Sequence, residues 1–256
     1  MKAMLEISYH PLLVLVLTFV GLWVAARAGA LLRKRTRTPE QDLRDDFSAI
    51  LAATLTLLGL LIGFSFSMAT SRYDLRKTYE EAEANAIGTE YLRADLLPAA
   101  DAAKVRPLLR DYLDQRIQFY GAEDDEVLRK ADARAAELQG ELWSAVRVPA
   151  SAQPTPVMAL VVSGMNDVLN SQGYTQAAFW NRIPTAAWRL MAAIAIFCNV
   201  LMGFGSHGTK AASRLLLVLP LVVGVAFMLI ADIDTPRHGL IRVTPQNLLS
   251  LAATLH

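Results

Sequence analysis

Apolar residues gather in four long runs along the chain, at 11–32, 47–70, 185–204 and 211–233. Crossing roughly 30 Å of hydrocarbon takes about 20 helical residues, so each run predicts a transmembrane helix. Short polar connections at 33–46 and 205–210 join the runs into two antiparallel hairpins. Between the hairpins the pattern becomes amphipathic and is punctuated by proline. Residues 71–97 continue the second span and stop at Pro98. Next, Val105, Leu109, Tyr112, Leu113, Arg116 and Tyr120 recur at three- and four-residue spacing, which places them on one helical face. Leu128, Ala131, Ala135, Leu138 and Leu142 form a second such face, ending before Pro149. The stretch 148–156, with three prolines among small residues, reads as a linker. A further helix begins near Pro156 and carries Met158, Val161, Val162, Met165 and Leu169 on its apolar side. Nowhere does a strand-like alternation compete. The predicted fold is therefore an all-α integral membrane protein with four transmembrane helices in two hairpins and a helical soluble insert between spans two and three. Its parts are hairpin one at 1–70, the middle segment at 71–183, and hairpin two with a short tail at 184–256.

Composition agrees with a membrane location. The chain is 54% hydrophobic and 19% charged, with a mean hydropathy of +0.31, whereas soluble domains carry about 25% charge. The net charge of +1 gives no argument for nucleic acid. Residues 71–183 hold 17 acidic and 13 basic side chains, so positive charge concentrates beside the apolar runs. A single cysteine, Cys198, excludes an internal disulfide and a multi-cysteine metal site. Its place in an apolar run makes it a small buried hydrophobe. Ala28-Gly29-Ala30 mimics a signal-peptide cleavage site, but the apolar stretch is too long and Arg33-Lys34-Arg35 follows directly.

Arg33, Lys34, Arg35, Arg37 and Arg44 in the first short loop, with Lys210 and Arg214 in the second, outweigh Lys2. The charge rule thus puts both short loops in the cytoplasm, and both termini and the middle segment outside. Arg72, Arg76 and Lys77 weigh the other way.

The second span has the most informative pattern. Gly59, Gly63 and Ser67 form a small-xxx-small row suited to close helix packing in lipid. Alternatively, symmetric copies of this helix line a pore. Thr56, Gly63, Ser67 and Thr70 then supply small and hydroxyl positions, and Leu60 and Phe64 apolar constrictions. Topology brings Arg72, Arg189, Asp232 and Asp234 to one membrane boundary, where an Arg189–Asp232 pair would ease the cost of charge near lipid. That pair would either staple the hairpin or serve a ligand or ion gate. Asn199, deep in span three, is expected to hydrogen-bond another helix. Gly203-Phe204-Gly205-Ser206-His207-Gly208 matches G-x-G-x-x-G, yet it follows an apolar helix with no βαβ context, so it reads as a tight inter-helix turn. His10, His207, His238 and His256 share no ligand spacing, and no nucleophile–base pair is found. No catalytic role, metal or cofactor is expected.

Several segments carry a family resemblance. Leu58-Gly59-Leu60-Leu61-Ile62-Gly63-Phe64-Ser65-Phe66-Ser67-Met68 with Ser71-Arg72-Tyr73 resembles the bestrophin-like bacterial membrane proteins. So do Glu83-Ala84-Asn85-Ala86-Ile87-Gly88-Thr89, Tyr91-Leu92-Arg93-Ala94-Asp95, Asn181-Arg182-Ile183-Pro184 and Asp232-Ile233-Asp234-Thr235-Pro236. More distantly, the stretch from Gly63 to Tyr73 is similar to true bestrophins, pentameric anion channels whose pore is lined by this second helix. The resemblance implies a multi-pass protein of the bacterial inner membrane, a homo-oligomer in the lipid bilayer, and passage of small anions. Thr56, Leu60 and Phe64 would occupy the positions of the bestrophin neck, one of them polar here, and Tyr73-Asp74 stands where bestrophins have two aromatics. It also implies a cytoplasmic middle segment, against the charge rule. The competing class is a non-conducting membrane scaffold or sensor whose middle segment binds a partner.

Overall fold

The computed structural model describes residues 10–35, 41–206, 214, 216–237 and 239–255. Among the described residues all regular structure is helical: α1 (Pro11–Arg35), α2 (Gln41–Arg93), a 3-10 turn (Ala94–Leu96), α3 (Ala99–Gly121), α4 (Asp125–Ala152), α5 (Pro156–Trp180), α6 (Thr185–Gly205), α7 (Val218–Asp234) and α8 (Gln246–Leu255). Three stretches, Pro11–Arg33, Phe47–Leu96 and Pro156–Gly205, contain helices long and apolar enough to cross a membrane. The fourth apolar run is described as a helix of 17 residues, α7. Its start at Ala211, most of the second short loop with Lys210, His207 and Gly208, and residues 36–40 with Arg37 lie outside the described residues. So do Lys2, His238, His256 and the side chains of Lys34, Arg35 and Arg44.

The chain forms two compact units, one from residues 1–71 and 182–242, the other from 72–181 and 243–256, as far as these are described. The tail helix α8 thus groups with residues 72–181 and not with residues 182–242.

In the first unit α1 packs against α6 and α7. The closest approach is at two glycines. A Cβ on Gly203 would lie 1.8 Å from the Ala26 carbonyl oxygen, and one on Gly29 would lie 2.0 Å from that of Val200. Either overlap is impossible, so α1 and α6 touch backbone to backbone. This is how lipid-embedded helices associate, through close van der Waals contact at small residues. Sequence pattern assigned that role to Gly59 and Gly63, but within the chain a Cβ at either position meets nothing within 4 Å. The inward side of α2 is instead Leu58, Ser65 and Ala69, all buried, with Ser65 Oγ donating to Met191 Sδ at 3.1 Å. Leu22, Leu58, Met191, Ala195, Cys198, Val223 and Phe227 form the core, and Trp188 meets Phe227 edge-on at 5.9 Å. Cys198 is fully buried. Asn199 is buried too, but its amide donates to Ala195 of its own helix at 2.8 Å instead of bridging to a neighbour.

The second unit is built on the expected faces. Val105, Leu109, Tyr112, Leu113, Arg116 and Tyr120 of α3 are all buried, as are Ala131, Ala135, Leu138 and Leu142 of α4. Leu97 is extended and Pro98 caps α3, since proline disfavours helix in the residue before it. Pro149 does not end α4, which runs to Ala152. The missing proline N–H costs one helical bond, but Pro149 is buried in the last turns and its own carbonyl still accepts from Gln153 N–H at 3.0 Å. The linker at 148–156 shrinks to 153–155, and Thr155 caps α5 by accepting from Met158 N–H at 3.2 Å.

The G-x-G-x-x-G match resolves into packing where it is described. Gly203 sits in the α1–α6 crossing, and a Cβ on Gly205 would lie 2.8 Å from the Phe47 ring.

The α1–α6 contact predicts that Gly203→Ala forces the helices apart and lowers stability by about 1–3 kcal/mol, the usual range for overpacking. Gly63→Ala, with open space around it, leaves the single-chain fold unaffected. Thermal unfolding of the two variants in detergent checks the contrast.

Candidate functional site

The residues singled out on the second span lie along one side of α2, a 53-residue helix that runs past the first unit's boundary at Ser71. At 1.5 Å per residue, Thr56 to Thr70 covers roughly 21 Å. Leu60 is 52% and Phe64 61% exposed, and Thr56, Gly59, Gly63 and Ser67 are likewise exposed on the single chain. Thr70, at the end of the row, is half-buried. The Thr56 hydroxyl donates to the Ala52 carbonyl at 2.9 Å and the Thr70 hydroxyl to that of Phe66 at 3.0 Å. Each satisfies its donor on its own helix and leaves oxygen lone pairs facing outward. The row therefore alternates hydroxyls with two large apolar side chains, and it spends nothing on packing inside the chain.

The boundary charges are placed differently from the expectation. Asp232, 2% exposed, accepts the backbone N–H groups of Leu240 at 2.6 Å and Ile241 at 3.1 Å. A Cβ on Gly239 would lie 2.5 Å from Asp232 Oδ1, so the loop closes tightly over this carboxylate. Asp234, also buried, accepts the Ile183 N–H on both oxygens at 3.1 and 3.0 Å. Arg189 is exposed on α6, and among the described residues no contact joins it to Asp232. The expected pair does not form because backbone N–H groups of the loop after α7, at Leu240 and Ile241, occupy the carboxylate. Arg72 is half-buried in the second unit.

Beside Asp234 lies an apolar cavity of about 310 Å³ lined by Leu17, Thr18, Arg182, Trp188 and Phe227 among others.

Several charged residues whose partners pattern reading did not foresee organise the helix ends. Arg33 donates to the carbonyls of Phe204, Gly205 and Ser206 at 3.4, 2.9 and 2.6 Å, closing the C-terminus of α6. Arg76, 1% exposed, donates to those of Ala178 and Asn181 at 3.2 and 3.3 Å and does the same for α5. Both place a cation at the negative end of a helix dipole. Glu80 accepts the N–H groups of Asn247 and Leu248 at 2.9 and 3.0 Å and so holds the start of α8. Glu83 and Arg116, both fully buried, form an ion pair joined by the Tyr120 and Thr175 hydroxyls, each at 3.2 Å. Burial opposes the charge on Arg116, but the Glu83 carboxylate together with Tyr112 and Tyr120 outweighs it and pushes the guanidinium pKa up. The available signal was three acidic residues at helical spacing, Glu80, Glu83 and Glu90, on the stripe of α2 that also carries the buried Ile87.

Solved structures share this arrangement of membrane-length helices and a packed helical insert. A bacterial bestrophin homologue from Klebsiella pneumoniae superposes with a TM-score of 0.65 at 13% identity, covering 94% of this chain and 98% of that one. A single-residue variant of a bestrophin homologue from the same organism gives 0.65 at 12% identity over 93% and 99%. A further structure, described as a membrane protein variant, gives 0.66 at 12% over 94% and 98%. A comparison with curated proteins gives no match. The Bestrophin-like domain model matches residues 12–248, and the chain belongs to that family of integral membrane proteins.

The Asp232 geometry predicts that Asp232→Ala strands two backbone donors and costs about 1–3 kcal/mol. Arg189→Ala, at an exposed site without a partner, changes stability by less than about 0.5 kcal/mol. The double variant is additive, which a thermodynamic cycle in detergent measures.

Proposed function

We propose that this protein is an oligomeric, channel-like membrane protein that passes small anions along a path lined by α2. The observation that carries this reading is the exposed row Thr56, Leu60, Gly63, Phe64 and Ser67, ending at the half-buried Thr70, on a membrane-length helix of a bestrophin-like chain. An exposed row of hydroxyls is poorly suited to lipid and suits a wet path or a contact between copies. Copies meeting through Gly59, Gly63 and Ser67, as many as five by the distant likeness to bestrophins, place Leu60 and Phe64 around the axis. There they act as apolar constrictions, and the hydroxyls of Thr56, Ser67 and Thr70 replace part of an ion's hydration. No acidic or basic side chain lies on this row, so selection rests on the hydroxyls and on helix dipoles.

The finer topology is four spans in the bacterial inner membrane, with both termini and the middle segment on one side. The described part of α7 rises about 26 Å at 1.5 Å per residue, most of the roughly 30 Å of hydrocarbon. Single-cysteine variants at Ala3, Gln118 and Thr254, with Cys198 replaced, then react with an impermeant reagent from the same face, and a variant at Arg37 reacts from the opposite one. Opposite labelling of Ala3 and Thr254 overturns the four-span reading.

The competing reading, a non-conducting scaffold or sensor, draws support from apolar side chains exposed on the second unit, Leu92, Val148 and Trp180 among them. Anion flux into liposomes separates the two. Wild-type protein, verified as folded and oligomeric, conducts, and replacing Leu60 and Phe64 together by Ala widens and wets the constriction and raises flux. For a scaffold the same truncation changes only stability. Absence of flux from both proteins removes the channel reading.

A further inference from the structure

Glu90 differs from the other buried acids of the second unit. Glu80 and Glu83 have donors on their carboxylates. The Glu90 side chain is fully buried, yet neither of its oxygens has a hydrogen-bond partner. The Arg93 guanidinium, one turn along the same helix, stops 4.0 Å away, beyond hydrogen-bond reach. On the facing helix, Gly164 of α5 is set directly against the carboxyl. A Cβ there would lie 2.1 Å from Glu90 Oε2 and 2.1 Å from the Arg93 guanidinium. The crossing of α2 and α5 is therefore built around this group, with a hydrogen opposite it where any other residue would carry a side chain. A buried carboxyl without a hydrogen-bond partner is held more readily as the neutral acid than as the carboxylate.

The charged groups around it are few. Arg93 lies on its own helix and Asp167 is exposed on α5 one turn beyond Gly164. On the adjoining 3-10 turn, Asp95 is engaged by Arg106 of α3. Burial pushes the Glu90 pKa up from the ordinary 4.5 to about 8, with Arg93 pulling it down and Asp167 raising it further.

We propose that Glu90 is a proton switch for the second unit: protonated, it lets α2 and α5 close over Gly164, and ionised, it drives them apart. On ionisation the proton leaves to solvent, and the carboxylate must gain water or a full contact with Arg93. Hydration requires the crossing to open, which uncovers Val161 and Met165, both fully buried in the closed packing. The sign follows from linkage. The folded-state pKa lies above the ordinary value, so the folded chain holds the proton that the unfolded chain has lost. Stability tied to the neutral carboxyl is fully present below pH 4.5 and is lost progressively as pH rises to about 8. The device is independent of the channel reading, since it concerns helix packing in the second unit alone.

The test uses the full chain in detergent, with Cys198 replaced by Ala and spin labels at Leu92 and Leu160, which are 69% and 52% exposed. Pulsed electron resonance gives the distance between the ends of α2 and α5 across the pH range. The expected result is a longer-distance population that grows with a midpoint near pH 8. One unit above the midpoint the ionised form exceeds the neutral one about tenfold. Glu90→Gln keeps the shape, cannot ionise and abolishes the transition. Asp167→Asn, at an exposed position, removes a repelling charge and moves the midpoint to lower pH. Should Glu90→Gln fail to fold, Asp167→Asn carries the test alone. Distances unchanged with pH in the wild type, a transition that persists in Glu90→Gln, or a midpoint indifferent to Asp167 each overturn the proposal.

Discussion

In hydrocarbon an apolar side chain gains little by leaving lipid for another apolar side chain, so helices there are held by how closely their backbones can approach. The first unit depends on that constraint at one crossing, where Gly29 and Gly203 let α1 and α6 meet with carbonyl oxygens in the place of side chains. Around this contact the larger residues arrange themselves: Leu22, Met191, Ala195 and Phe227 fill the core, and Leu58 brings α2 into it. Because α1 and α6 satisfy each other, α2 turns only one narrow side inward and keeps its opposite side unspent. The exposed row of hydroxyls and bulky apolar groups follows from the fixed crossing as much as from the residues that form it.

The second unit is organised by a different force. Its amphipathic helices bury apolar stripes against one another, where removal from water supplies the driving term. Burial then makes each charge on those stripes expensive unless a partner is supplied. The unit answers in three ways. Glu83 is met by Arg116 and two hydroxyls, and Glu80 by the orphan donors at the start of α8. Glu90 has neither, and neutralisation is the remaining way to hold a carboxyl in a buried crossing. A similar economy governs the helix ends of both units. Arg33 and Arg76 serve carbonyls at helix ends, and Asp232 serves N–H groups of the loop after α7, so charges near the ends of apolar runs engage the chain itself.

Features that depend on local periodicity are legible along the chain. Four apolar runs and two amphipathic faces are written at spacings of three and four residues, so the helices, their buried sides from Val105 to Tyr120 and from Ala131 to Leu142, and the family likeness were all legible. Proline was legible only in part, since Pro98 ended a helix and Pro149 did not: a buried last turn tolerates one missing donor. Pairings between distant segments were decided by tertiary structure alone. Arg33 reaches Ser206 across 173 positions and Glu80 reaches Asn247 across 167. Two small-residue rows, at Gly59–Gly63 and at Gly29 with Gly203, look equally able to pack, and only the crossing itself selects which one is used. Asp232 likewise had a plausible partner in Arg189 by depth, but hydrogen bonds require approach within about 3 Å, and the loop at Gly239 brings backbone donors there first. Periodicity is a property of neighbours along a chain, whereas the partner of a charge or the contact of a glycine is fixed by which surfaces finally meet in space.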